Sequence, residues 1–139
     1  MQVAGKAVKV SATIVREEFG RSGKLHSLLL RQMQFTVAQI AQTAACNRLH
    51  NLEERFSRWL LMVNDRIQTD TFPITHEFLA QMLGTRRSSV TLAAGVLQRA
   101  GFIEYSRGLM HIANRKELEH AACECYPIVK ASYDRFLKK

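Results

Sequence analysis

The chain has no apolar run approaching the roughly 20 residues that span a bilayer. Its first residues, MQVAGKAVKV, lack the apolar core of a secretion signal. Neither a membrane partner nor export is expected. Cysteine is scarce: three thiols, an odd number, make no disulfide framework and point to a reduced, cytoplasmic setting. Acidic residues are outnumbered, 12 against 20 Lys and Arg, leaving a formal net charge of +8. That excess favours a polyanionic partner, because counterions released from phosphates supply affinity without sequence preference. Internal repeats and low-complexity stretches are absent, as is any acidic triad or activated nucleophile of the kind an enzyme needs. With 139 residues, one domain or a domain with an appendage still buries a core.

Proline and glycine are also missing from Lys24 to Arg48, where strong helix formers dominate. The expected helix is about 25 residues and about 37 Å long. Leu25, Leu29, Met33, Val37, Ile40 and Ala44 form one stripe along it, with Leu28, Leu30 and Phe35 on other faces. A helix with several apolar sides needs more than one packing partner, and a second copy of the chain is the natural supplier. Upstream, Val3, Val8 and Val10 suggest a strand or two within residues 1–15, and a turn or short helix follows around Glu17–Gly23. Downstream, Asn51 and Glu54 have the capping-box spacing. The helix they open carries Leu52, Phe56, Trp59, Leu60, Val63 and Ile67 on one face, so the single tryptophan reads as core. Residues 70–73 read as a turn or short extended link.

Residues 75–101, ITHEFLAQMLGTRRSSVTLAAGVLQRAG with the preceding isoleucine, predict two short helices joined by a tight turn. Thr75 can cap the first and Glu77 faces the positive end of its dipole. Leu79, Met82 and Leu83 form its buried stripe, and Gly84 can end it in the left-handed conformation. Thr85 is the expected cap of the second helix, which the pair Arg86 and Arg87 opens. Val90, Ala93, Ala94 and Leu97 form its apolar side, and Gly101 ends it. Ala80 sits where the helices would cross. Opposite the apolar side lie Ser88, Leu92, Gly95 and Arg99, flanked by Arg87 and Thr91 on one side and Ser89 and Val96 on the other. This is the layout of a helix-turn-helix, whose second helix enters the DNA major groove. Residues 102–105 and 109–112 surround Ser106-Arg107-Gly108, a hairpin signal that reads as a wing with Arg107 at its tip, within reach of a phosphate.

Asn114 and Glu117 repeat the capping spacing. Leu118, Ala121, Ala122 and Cys125 line a further helix that Pro127 should kink or break, leaving Val129, Tyr133, Phe136 and Leu137 to pack a terminal segment. His120, Cys123 and Cys125 are metal-ligand residue types, but on a continuous helix Cys123 and Cys125 point apart, so these thiols read as inert and buried. Cys46 and His50 lie one turn apart with nothing to mark them as a nucleophile pair. No metal or other cofactor is expected. His76 reads as a solvent or phosphate neighbour.

This order of parts resembles the C-terminal half of the Crp/Fnr family, the cyclic-AMP-receptor-like transcription regulators. The resemblance covers roughly residues 24–113, and it is carried chiefly by the E-E-R-x-x-R-W-L-L stretch from Glu53 to Leu61 and the I-T-x-E-x-L-A-x-x-L-G segment from Ile74 to Gly84. Residues 114–137 resemble the C-terminal extension of a bacterial subgroup. The resemblance implies a mainly α fold with a small β wing. A long dimerisation helix (24–48) leads into a winged helix-turn-helix domain with a helical extension (49–139), and residues 1–23 would be the remnant of a sensory domain or an edge segment. It further implies a homodimer on double-stranded DNA, two recognition helices in successive major grooves, and RNA polymerase as a further candidate partner. By motif position, base contacts fall on Arg87, Ser88 and Leu92, with Thr75 at a phosphate-contacting helix start. The interface drawn from both readings is Thr75, His76, Thr85, Arg86, Arg87, Ser88, Ser89, Thr91, Leu92, Arg99 and Arg107. Ser88 and Leu92 depart from the charged residues of the best-known members, so no operator sequence carries over. Of the family's sensory β-roll only the last strands would have a counterpart, in residues 1–15; its glycine-rich phosphate cradle is absent, and cyclic-nucleotide binding is not expected. The alternative expectation is a sensorless interaction module that pairs with a full-length relative.

Overall fold

Seven helices and a three-stranded sheet follow one another in a computed structural model that describes residues 6–137. The order is α1 (Ala12–Gly20), α2 (Lys24–Leu49), α3 (Leu52–Ile67), β1 (Thr71–Pro73), α4 (His76–Leu83), α5 (Arg87–Arg99), β2 (Ile103–Ser106), β3 (Leu109–Ile112), α6 (Arg115–Ala121) and α7 (Cys125–Leu137). The fold is mainly α with a small antiparallel sheet, as the resemblance implies. Among the described residues no helix is long and apolar enough to cross a membrane.

The core is gathered around α3. Asn51 and Glu54 make a complete capping box at its start. Phe56, Leu60 and Leu61 are fully enclosed, and Trp59 packs edge-on to Phe78 with ring centroids 6.3 Å apart. From α5 the core receives Val90, Ala93, Ala94 and Leu97, and from the sheet Ile103, Met110 and Ile112. Side chains at three- and four-residue spacing on the helices and alternate ones on the strands meet in one apolar cluster.

An ion-paired knot ties the far side together. Arg115 meets Asp65 at 2.7 Å and Glu119 at 3.0 Å, and donates to Tyr126 Oη at 2.7 Å. The Tyr126 hydroxyl in turn donates to Asp65 at 2.9 Å. The guanidinium also reaches Asn64. One carboxylate thus joins α3, α6 and α7.

Four expectations need correction. Residues 6–11 form no strand, and Val8 and Val10 stand exposed; Val3 lies outside the described residues. Among the described residues no strand lies alongside to pair with them, and Ser11 instead caps α1, its hydroxyl accepting from Ile14 N at 3.3 Å. The link at 71–73 is a true strand: Phe72 pairs with Met110 and is buried, giving the order β1-β3-β2. Pro73 lacks a donor but ends an edge strand, where none is required. Thr85 does not cap α5; Arg86 holds that position, with no side-chain hydrogen bond to the free amides. Pro127 does not break a helix but sits in the first turn of α7, where its missing N–H costs nothing. The break falls earlier, at residues 122–124, where Ala122 turns to an extended conformation.

α2 shows two faces. One packs on α7: Phe35 stacks on Phe136 at 5.8 Å and meets Tyr133 at 5.6 Å, while Arg31 donates to the carbonyls of Arg135 and Phe136. The other carries Leu25, Met33, Val37, Ile40 and Ala44, all exposed, with Leu29 half-buried.

Candidate nucleic-acid interface

The geometry of this face begins with the turn between α4 and α5. Thr75 caps α4, its hydroxyl accepting from Phe78 N at 3.2 Å. Gly84 ends that helix with φ +62°, a conformation in which a side chain would be strained. Thr85 N then donates back to Ala80 O at 3.0 Å and closes the turn. Arg55 of α3 donates to the Leu83 carbonyl, so an otherwise unsatisfied helix end is held from behind. Nothing in the E-E-R-x-x-R-W-L-L spacing signals this task of Arg55, which depends on which carbonyl lies opposite.

With its apolar side against the core, α5 turns the other side outward. Arg86, Arg87, Ser88, Thr91, Leu92, Val96 and Arg99 are exposed, Leu92 to 73%. Ser89 and Gly95 are half-buried, and the Arg99 guanidinium lies over Gly95, 3.3 Å from where a Cβ would stand. A leucine this exposed has no packing reason within the monomer. The residues expected opposite the apolar side of α5 thus share one outward side of that helix, with Ser89 and Gly95 at its margin.

The wing is a two-residue hairpin. Arg107 and Gly108 both adopt positive φ, +49° and +81°, which matches the right-handed twist of the strands they join. Arg107 is exposed at the tip, and Ile74 N bonds Gly108 O at 2.8 Å, fixing the wing to the entry of α4.

His76 is placed differently from the sequence expectation. It is half-buried, stacked on Tyr105 with ring centroids 4.1 Å apart. The Thr91 hydroxyl donates to Arg87 O at 3.0 Å and so accepts from His76 Nδ1, also at 3.0 Å. Nε2 is buried without a partner. Burial, and secondly the charge of Arg87, lower the His76 pKa and favour the neutral ring. His76 braces α4, α5 and β2 against one another, and no spacing rule signals a stack between residues 29 apart.

Residues 54–121 match the sequence profile of the Crp-like helix-turn-helix domain. The chain carries a Crp-like helix-turn-helix domain. Solved structures agree with it in fold. A protein described as a transcriptional regulator of the Crp/Fnr family, from Eubacterium rectale, superimposes with a TM-score of 0.63 at 24% identity, over 79% of this chain and 51% of its own. A transcriptional regulator of the CRP family from Thermus thermophilus gives 0.57 at 26% identity, over 68% and 49%. The chain thus spans about half the length of either structure. No curated protein sequence matches it. Within the Crp-like domain, α4 and α5 are the helix pair, and β2 and β3 with their Arg107 tip are the wing. The match stops at the end of α6, so α7 lies beyond it.

Proposed function

We propose that this chain is a sequence-specific DNA-binding transcription regulator that acts as a homodimer on a near-palindromic site. The observation that carries the reading is the outward side of α5, on which basic and small polar residues surround one exposed leucine. Arg87 suits bidentate bonding to a guanine, and Leu92 suits a thymine methyl. Thr75 at the start of α4, with Thr85, Arg86, Ser88 and Ser89 around the start of α5, supplies the groove-side and phosphate-side donors, while Thr91, whose proton is held by the Arg87 carbonyl, offers a lone pair to a base donor. Arg99 and the wing-tip Arg107 contact phosphates. His76 acts from behind, by holding Thr91 and the wing in place.

The exposed stripe of α2 supports the homodimer. Two copies joined there present two recognition helices, and the half-sites they read are one helical turn, about 34 Å, apart. RNA polymerase is the partner through which such a dimer alters transcription, and no chemical step on DNA is assigned to it. Selection of bound sites from random double-stranded DNA tests the proposal. A palindromic consensus whose affinity falls steeply with salt supports it. Equal binding to every oligonucleotide, or none at low ionic strength, refutes it. Recovery of a larger α2-bound relative without DNA binding would favour an interaction module instead.

A further inference from the structure

Four side chains that the nucleic-acid face does not use converge where α2 ends and α7 begins. Cys46 lies in the last turn of α2 and His50 closes that helix; Cys123 lies in the break after α6, and Cys125 opens α7. One ligand atom from each lies within 4.8 Å of all the others. Cys46 Sγ is 3.5 Å from Cys123 Sγ, and Cys125 Sγ is 3.6 Å from His50 Nδ1. A tetrahedron with zinc–sulfur bonds of about 2.3 Å and zinc–nitrogen bonds of about 2.0 Å has edges of about 3.5–3.8 Å. The two separations are close to such edges. The widest pair has about 1 Å to close, a modest rotation of a thiol side chain.

Two independent features surround the cluster. His50 Nε2 meets Glu124 Oε1 at 3.1 Å, so the proton sits on that nitrogen and the Nδ1 lone pair faces the sulfurs. A carboxylate behind a ligand histidine is the usual device for fixing its tautomer. Arg58 is 3% exposed, its Nε has no hydrogen-bond partner, and among the described residues it makes no ion pair. Its charge is felt at Cys46, where it opposes the rise in pKa that burial causes. A divalent ion with three thiolates and a neutral imidazole has a net charge of minus one, the countercharge a buried guanidinium lacks. Gln42 Nε2 also donates to Cys125 Sγ at 3.0 Å.

We propose that Cys46, His50, Cys123 and Cys125 form a tetrahedral zinc(II) site that pins the α2–α3 junction to the start of α7. The soft three-sulfur, one-nitrogen donor set is that of closed structural zinc sites, and binding releases the three thiol protons. A disulfide between Cys46 and Cys123 would leave His50, Glu124 and Cys125 without a purpose. The inert-thiol expectation assumed an unbroken helix through residue 125. Because the chain leaves the helix at Ala122, Cys123 and Cys125 turn to one point, while His120 stays outside, 3.8 Å from Glu117.

The test uses the full chain, reduced and freed of metal by a chelator, with cobalt(II) as the spectroscopic probe. The expected result is one equivalent bound, with intense visible bands of a tetrahedral ion and a near-ultraviolet sulfur-to-metal band, displaced by one equivalent of zinc. Zinc should also raise the thermal midpoint and shield all three thiols from a thiol reagent. Cys46→Ser and Cys125→Ser should lose the tetrahedral spectrum, His120→Ala should keep it, and Glu124→Gln should keep it with affinity about 10- to 100-fold weaker. Folding of each variant is checked by circular dichroism. Weak octahedral bands, no binding by the folded reduced chain, a Cys46–Cys123 disulfide forming in preference to zinc uptake, or iron–sulfur absorption after anaerobic purification would each overturn the proposal.

Discussion

Replacing Ile40 by alanine separates the stability of the single chain from its self-association. The substitution removes three carbons, each contributing about 0.8 kcal/mol when fully taken out of water. Ile40 is 63% exposed in the single chain, so about 1.5 kcal/mol per protomer remains to be gained by covering it. A two-fold dimer places the residue at the interface twice, and the loss is about 3 kcal/mol, or roughly a 100-fold rise in Kd. The fold of the single chain gains nothing from the exposed atoms, and alanine is the better helix former, so the denaturant midpoint measured at low protein concentration should hold or rise slightly. Sedimentation equilibrium across a dilution series reads the dissociation constant. Met33 and Val37, at 60% and 64% exposure, should respond in the same direction. An unchanged Kd in Ile40→Ala, or a wild-type chain that is monomeric at every concentration, would refute the assignment of this stripe to dimerisation.

Other perturbations address the proposed DNA face and the scaffold. Arg87→Ala should cost about 1–3 kcal/mol on the selected site and relax one base position, whereas Arg107→Ala should weaken all sequences alike and lower the salt slope by about 1; binding isotherms at several salt concentrations distinguish the two. If Arg87→Ala weakened every sequence equally, its base-reading role would be wrong. Asp65→Ala removes the carboxylate shared by Arg115 and Tyr126 and should destabilise the fold by about 1–3 kcal/mol in urea unfolding. His76 titrates near 6.5 when unfolded and lower when folded, so between those values the unfolded chain holds the extra proton. Its contribution to stability is therefore intact above about pH 6.5 and is lost as the pH falls below that value. The acid-side decline in unfolding midpoint should shrink in His76→Asn, and an identical pH profile in the two proteins would contradict the bracing role.

Much of the proposed DNA-facing arrangement was legible in the residues. Val90, Ala93, Ala94 and Leu97 recur at the spacing of one helix side, so their burial implies the exposure of Ser88, Leu92 and Arg99. Thr75, Asn51 and Asn114 cap helices through contacts three residues away, and Gly84, Gly101 and Gly108 take the positive φ that their positions demand. These are local consequences of backbone geometry, available to any reader of the chain. What periodicity could not show was which distant residues meet. Phe72 joins the sheet because β3 passes beside it; His76 rests on Tyr105; Arg55 finds the end of α4.

The cysteine cluster marks the boundary most sharply. Sequence alone determined the helix types, their apolar sides, the hairpin and the basic surface, since each depends on interactions within one turn of helix or one strand pair. Tertiary structure alone decided that Cys46 and His50 would meet Cys123 and Cys125 across more than seventy residues of chain. That meeting depends on how α7 lies along α2 and on where the helix before it breaks, and neither is encoded in the spacing of any single segment.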